Sequence, residues 1–216
     1  MTDIRAQAAT HSKPTRGLLL HSAAAYDLLA WAFLGGRERE FRQRLLDLAR
    51  VRPGEAVLDV GCGTGTLAIL AKETVGAEGT VHGIDGSLEM IARARWKAGR
   101  ARLAIGFENA VVEALPFPDG TFDVVLSTLM LHHLPRATRD QCGREIRRVL
   151  KKGGRVLTVD FGAPGPLKSS FLPKLHRHGG VALAEMIRVL SDAGLRVTES
   201  GAVGVKDLNF AVASAP

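Results

Sequence analysis

The stretch "AVLDVGCGTGTLAIL", residues 56–70, determines how the rest of the 216-residue chain is read. Val57, Leu58 and Val60 enclose one acid, Asp59. Glycines then take alternate positions, Gly61, Gly63 and Gly65, with Cys62 and Thr64 between them, and an apolar run resumes at Leu67. The pattern describes a strand that stops and a helix that starts at once, with bare backbone between them. Gly61 and Gly63 let the chain turn sharply and approach a ligand that any β-carbon would hold off, and Gly65 permits close packing at the helix start. A dinucleotide fingerprint, G-x-G-x-x-G, requires its third glycine at residue 66. That position is Thr66, which counts against a nicotinamide-dependent oxidoreductase.

Strand-like and helix-like runs alternate downstream. Apolar strands are expected at 56–61, 80–85, 102–110, 122–129 and 155–161, with helical patterns at 66–75, 87–99 and 138–150 between most of them. Ser87 reads as a helix N-cap with Met90 turning inward. "KKGG" at 151–154 reads as a helix stop followed by a turn. Such alternation predicts a parallel sheet with helices on both faces. A helix over 181–194 then precedes two further strands, "LRVTESGAV" and "LNFAVASA", joined by a link at 204–207 too short for a parallel crossover, so this pair is expected as an antiparallel hairpin. Upstream, 1–16 reads as an arm without periodicity, and 18–34 and 37–50 as two helices split by Gly35 and Gly36. Phe41, Leu45, Leu48 and Ala49 recur at helical spacing in the second.

Composition narrows the function classes. The formal charge is +7, yet the densest basic runs, "ARARWKAGRAR" (92–102) and "REIRRVLKK" (144–152), have the helical spacing of solvated faces, so nucleic-acid binding is not expected. Two cysteines, Cys62 and Cys142, are too few for a disulfide framework or a Cys-based zinc site and suit a reducing cytoplasm. His176 and His178 lack an evident third ligand, so no metal is expected. The apolar run at 18–34 is cut by His21, Tyr26 and Asp27 and is too interrupted for a signal peptide or a spanning helix, although peripheral membrane contact stays open.

In an open parallel sheet, ligands bind beyond the carboxyl ends of the strands, where the strand order reverses. Asp85 ends the second strand there, where a carboxylate can accept from both hydroxyls of a ribose. Asp59, before the loop, has two readings of equal weight. It is a structural acid bonding loop backbone, or it contacts a ligand ammonium directly or through water.

Taken together, "VLDVGCGTG" (57–65), "GIDGSLEMIARAR" (83–95), "EALPFPDGTFDVVLS" (113–127), "LHHLP" (131–135) and "EIRRVLKKGGRVLTVDF" (145–161) resemble a class I S-adenosylmethionine-dependent methyltransferase of the small-molecule branch that includes quinone-biosynthesis C-methyltransferases. The resemblance is dense over 51–161, and the closing helix and hairpin fit the same fold to 216. It implies a Rossmann-like, doubly wound α/β fold. Seven strands form a mostly parallel sheet with a C-terminal antiparallel hairpin strand and an N-terminal helical cap, divided as an arm and cap over 1–50 and one cofactor-binding domain over 51–216.

The implied cofactor is S-adenosyl-L-methionine, leaving as S-adenosyl-L-homocysteine. Backbone around Gly61, Cys62, Gly63, Thr64 and Gly65 holds its methionine part, Asp85 its ribose, and Gly86 and Met90 line its adenine. Where such proteins carry an acid for the adenine amino group this chain has Val111, so adenine recognition falls to the Val112 N–H, with Glu113 or Asn109 as substitutes. Ser127 and Thr128 face the transferring methyl, followed by Leu129 and the pair His132 and His133. Each histidine is either a general base or a loop fastener. Tyr26 and Trp31 either close over the cofactor or pack the first helix, and the 162–180 insert roofs a hydrophobic or amphipathic small-molecule acceptor. Val111 keeps a non-catalytic cofactor-binding protein as the alternative. Oligomeric state is not legible in the sequence.

Overall fold

The computed structural model describes residues 36–162, 181–205 and 207–216. The expected helix at 18–34, Tyr26, Trp31, and His176 and His178 of the insert lie outside the described residues. Chain order is α1 (Glu38–Leu48), β1 (Ala56–Val60), α2 (Thr66–Val75), β2 (Thr80–Asp85), α3 (Leu88–Ala101), β3 (Gly106–Asn109), β4 (Phe122–Thr128), a 3₁₀ turn (Leu131–His133), α4 (Arg136–Val149), β5 (Leu150–Phe161), α5 (Leu183–Asp192), β6 (Arg196–Ala202) and β7 (Leu208–Ser214).

Among the described residues seven strands form one sheet in the order β3-β2-β1-β4-β5-β7-β6. The pairs β1–β2, β1–β4, β2–β3 and β4–β5 are parallel. Strand β7 runs antiparallel between β5 and β6, with Ala202 opposite Asn209 near the hairpin end, as the short link requires. The chain leaves β1 toward β2 and β3, then returns to β4 on the other side. The strand order therefore reverses between β1 and β4, at whose carboxyl ends a crevice is expected.

Side-chain alternation assigns the two faces. Val57, Val124, Leu126 and Leu157 pack with Leu45 of α1, Leu67 and Ala71 of α2 and Ile91 of α3. Leu58, Val60, Val125 and Val156 pack on the opposite face with Ile146 of α4 and Met186 and Leu190 of α5. Helix α1 is thus built into the core, through Phe41, Leu45 and Leu46 rather than through Leu48, which is only partly buried. Each fully buried Leu, Ile or Val contributes about 1.5–3 kcal/mol of transfer free energy.

Two segments depart most from the sequence expectation. The strand expected over 102–110 is confined to Gly106–Asn109 because α3 continues to Ala101 and closes with Arg102 in the left-handed region (φ 55°). The Arg102 N–H then bonds Gly99 O, and the Leu103 N–H reaches back to Ala98 O at 3.0 Å. The turn expected at 151–154 is instead a bulge inside β5. Opposite β4, the register jumps from Leu150 to Arg155, Gly153 takes φ 74°, and its N–H pairs with Ala215 O. Ser87 is the N-cap expected for α3, its hydroxyl accepting from the Met90 N–H at 3.3 Å. No helix among the described residues is long and apolar enough to cross a membrane.

Candidate active site

Three strands of the parallel core bring acids to the same carboxyl edge of the sheet: Asp59 in β1, Asp85 ending β2 and Asp160 in β5. Asp59 and Asp160 are buried.

The glycine loop is folded around the first two acids. The Gly61 and Cys62 N–H groups both bond Ile84 O at 2.9 Å, tying the loop to the end of β2. The Gly63 N–H bonds Asp85 Oδ2 at 2.9 Å, and the Ser87 N–H bonds Asp85 Oδ1 at 2.8 Å. Asp85 thus clamps the loop to the start of α3, and each carboxylate oxygen keeps a second lone pair for a ligand hydroxyl. Burial raises Asp85 above the usual carboxylate range against the pull of these two N–H groups. Asn109 Nδ2 donates to Asp85 O at 2.9 Å, placing Asn109 beside it, and Gly86 next to it is exposed.

Asp59 shares the face of Val57, under α1 and α2. Burial pushes its pKa up to about 7, Arg42 of α1 opposes the shift, Asp85 adds to it, and the Ala68 N–H at the start of α2 bonds the carboxylate. Its Oδ1 has no hydrogen-bond partner among the described residues. An orphaned carboxylate oxygen under a glycine loop is a costly arrangement that a cationic group would relieve.

The glycines divide their roles. All three have positive φ: 73° at Gly61, 53° at Gly63 and 76° at Gly65. A β-carbon on Gly65 would lie 2.8 Å from Phe107 and 2.9 Å from Ala94, which is the close packing expected at the helix start. At Gly61 that space belongs to Met130, whose Cγ would be 2.5 Å away, so this glycine accommodates the turn after β4. The Cys62 thiol is buried and held well above its ordinary pKa, and Cys142 is pushed to about 12 by burial and then by Glu113 and Glu145; neither is a ready thiolate.

The residues expected near adenine are less uniform. Met90 and Val112 are buried, Val112 among Leu58, Val60 and Ile84. Val111 is half-buried. Glu113 lies toward α4, where its carbonyl accepts from Gln141 Nε2 at 3.4 Å, and its Oε2 is buried without a partner among the described residues.

Across the crevice, Ser127 is buried opposite Val60, its Oγ without a partner among the described residues, and Thr128 follows half-buried. Leu129 then takes φ 55°, an uncommon conformation for a bulky residue, with its N–H on Val159 O at 2.8 Å. This reversal feeds the 3₁₀ turn and brings His132 over β5. Its Nδ1 lies 2.7 Å from Asp160 Oδ1, and its own N–H bonds Asp160 Oδ2 at 3.0 Å. The rings of His132 and His133 lie 3.9 Å apart. Asp160 was not singled out from the sequence, although its signal was present: "RVLTVDF" places an acid near the end of an apolar strand, as "AVLDVG" does.

These residues fit S-adenosylmethionine. The orphaned Asp59 oxygen and the acid pair suit a cationic ligand, and the free lone pairs of Asp85 suit ribose hydroxyls.

A family described as "Methyltransferase domain" matches residues 57–154. The "Ubiquinone/menaquinone biosynthesis C-methyltransferase UbiE" of Ectopseudomonas mendocina is 37% identical over 155 residues, 68% of this chain and 58% of that protein. The protein of the same name from Teredinibacter turnerae is 33% identical over 176 residues, 78% of this chain and 67% of that protein. The match therefore spans little more than half to two thirds of these relatives. In fold, the chain is similar to a SAM-dependent methyltransferase from Aquifex aeolicus, with TM-score 0.73 and 24% identity over 91% of this chain and all of the other. The chain belongs to the class I S-adenosylmethionine-dependent methyltransferases.

Proposed function

We propose that the protein moves a methyl group from S-adenosylmethionine to a small hydrophobic or amphipathic acceptor, of which the quinol rings implied by the names of its relatives are the leading class. The observation that carries this reading is the Asp85 clamp. One half-buried carboxylate fixes the glycine loop and the α3 start together, each oxygen keeping a second lone pair for a ligand hydroxyl.

Asp85 would hold the ribose, the loop backbone around Gly63 the methionine tail, and Asp59 its ammonium. Bound there, S-adenosylmethionine supplies an already activated methyl on a sulfonium. The chain's own task is then to align the acceptor behind that methyl and exclude water, an orientation effect. Ser127, Thr128 and the Leu129 reversal form the wall on which alignment depends.

We place the enzyme in the cytoplasm, consistent with two free cysteines. Peripheral membrane contact is supported by the outer face of α3, where Leu88 and Trp96 are exposed and the Arg93 and Arg100 guanidinium groups lie 4.3 and 5.0 Å from the Trp96 ring.

Calorimetric titration with S-adenosylmethionine, S-adenosylhomocysteine and NADH tests the reading. Micromolar binding of the first two, weakened about 100-fold or more in Asp85→Ala through loss of charge-assisted bonds, is expected. Binding of NADH alone would overturn it.

A further inference from the structure

Of the two readings open to His132, base or loop fastener, its surroundings favour the first. Asp160 is fully buried, and the His132 side chain is only 11% exposed. Asp160 Oδ1 lies 2.7 Å from the imidazole Nδ1 and accepts from the Phe161 N–H at 2.8 Å, and Oδ2 accepts from the His132 N–H at 3.0 Å. A carboxylate with this set of partners draws the imidazole proton to Nδ1. That leaves Nε2 as the basic nitrogen, and it has no hydrogen bond among the described residues. The Phe161 ring, 5.4 Å away and edge-on, and the His133 ring limit rotation of the imidazole. The Leu129 reversal and the Arg139 Nε bond to Leu131 O at 2.9 Å fix the turn that carries it. The His132 N–H bond to Asp160 already fastens the turn to β5; the short side-chain bond in addition orients a base.

We propose that His132 and Asp160 form a proton-accepting dyad for the acceptor, with Nε2 of His132 as the catalytic base and Asp160 as its positioning residue. The inference rests on the methyltransferase reading and deepens it: the preferred acceptor carries an ionisable enolic or phenolic hydroxyl. The acceptor O–H bond breaks, its proton joins Nε2, and the imidazolium is held by the Asp160 carboxylate. The freed oxygen pair makes the oxygen, or the ring carbon ortho to it, the nucleophile. A bond to the methyl forms as the C–S bond breaks with its pair left on sulfur. On the carbon route the ring carbon then loses its hydrogen as a proton to solvent, and the oxygen retrieves the proton from Nε2.

The test uses the full chain with 1,4-naphthalenediol and halogen-substituted naphthalenediols as probe acceptors. Expected for His132→Gln and Asp160→Asn is a fall in kcat of about 100-fold, the usual worth of a general base. The KM for S-adenosylmethionine and its calorimetric affinity should stay within twofold. In His132→Gln the more acidic diols should recover most of the rate, because they ionise unaided. Long-range ¹H–¹⁵N NMR of the wild type should place the His132 proton on Nδ1, and this readout stands even where a variant fails to fold. A proton on Nε2, or variants that retain kcat within twofold, would overturn the dyad while leaving the methyltransferase reading intact. Absence of S-adenosylmethionine binding by the wild type would overturn both.

Discussion

The two edges of the sheet treat their acids in opposite ways. At the amino edge, Asp123, Glu145, Asp119 and Glu55 each have a cation. Asp123 accepts from Lys151 at 2.7 Å and from the Ala56 N–H at 2.9 Å; burial alone would raise its pKa, and these partners hold it below the usual range. Glu145 is lowered first by Arg148, which also binds Asp119 and the carbonyls of Leu115 and Phe117. Arg155 grips Glu55 through two bonds, at 2.9 and 2.8 Å, and caps the carbonyls of Ala49 and Arg50 behind α1. At the carboxyl edge, Asp59 and Asp85 are raised by burial and rely chiefly on backbone N–H groups. The amino edge is satisfied within the chain and holds β1, β4 and β5 together. The carboxyl edge is left in need of a cation and hydroxyls, which the proposed cofactor would supply, at a cost in stability before binding.

This contrast can be broken by substitution. Arg155→Ala strikes the satisfied edge, leaving Glu55 unpaired and two carbonyls uncapped, and should cost about 3 kcal/mol in urea unfolding. Cofactor affinity should stay within twofold; a large loss of affinity would mean that the two edges are not independent.

Asp59→Asn strikes the other edge and should have the opposite sign. The folded protein keeps the Asp59 proton to about pH 7, whereas the ordinary value is 3.8. The folded state therefore binds more protons, and stability is lost as pH rises from the lower value through the higher. Between pH 5 and 8 the wild type should lose about 2.5 kcal/mol more than the variant in parallel unfolding curves. Parallel slopes would remove Asp59 from the argument.

Smallest is a glycine pair that sharpens the comparison. Gly65→Ala combines positive φ with a β-carbon 2.8 Å from Phe107 and should cost about 2 kcal/mol. Gly120→Ala, at the amino edge with φ 62° and nothing within 4 Å, should cost about 1 kcal/mol in the same thermal melts.

Much of this was legible before any coordinates. Strand and helix periods gave the order of elements, and the four-residue link gave the antiparallel hairpin, because both follow from local geometry and chain reach. Gly65 was legible as a packing glycine and Ser87 as a cap. Arg102 was not legible as the left-handed helix terminus, because local preference assigns that conformation to glycine or asparagine and only the packing of α3 against β3 overrides it. The glycines of "KKGG" read as a turn and became a bulge because the segment pairs with the C-terminal Ala215, more than 60 residues away in sequence.

The site divides along the same line. The sequence by itself determined that a bare loop follows β1, that acids end the first two strands, and that two histidines follow the fourth, since each is a matter of residue type at a short spacing. Only the tertiary structure decided that Met130 rather than a ligand fills the space over Gly61, that Asp85 clamps Gly63 across 22 residues, and that Asp160 meets His132 across 28. The reason is register: a one-residue slip of β5 against β4 would turn Asp160 to the opposite face and leave His132 without its carboxylate.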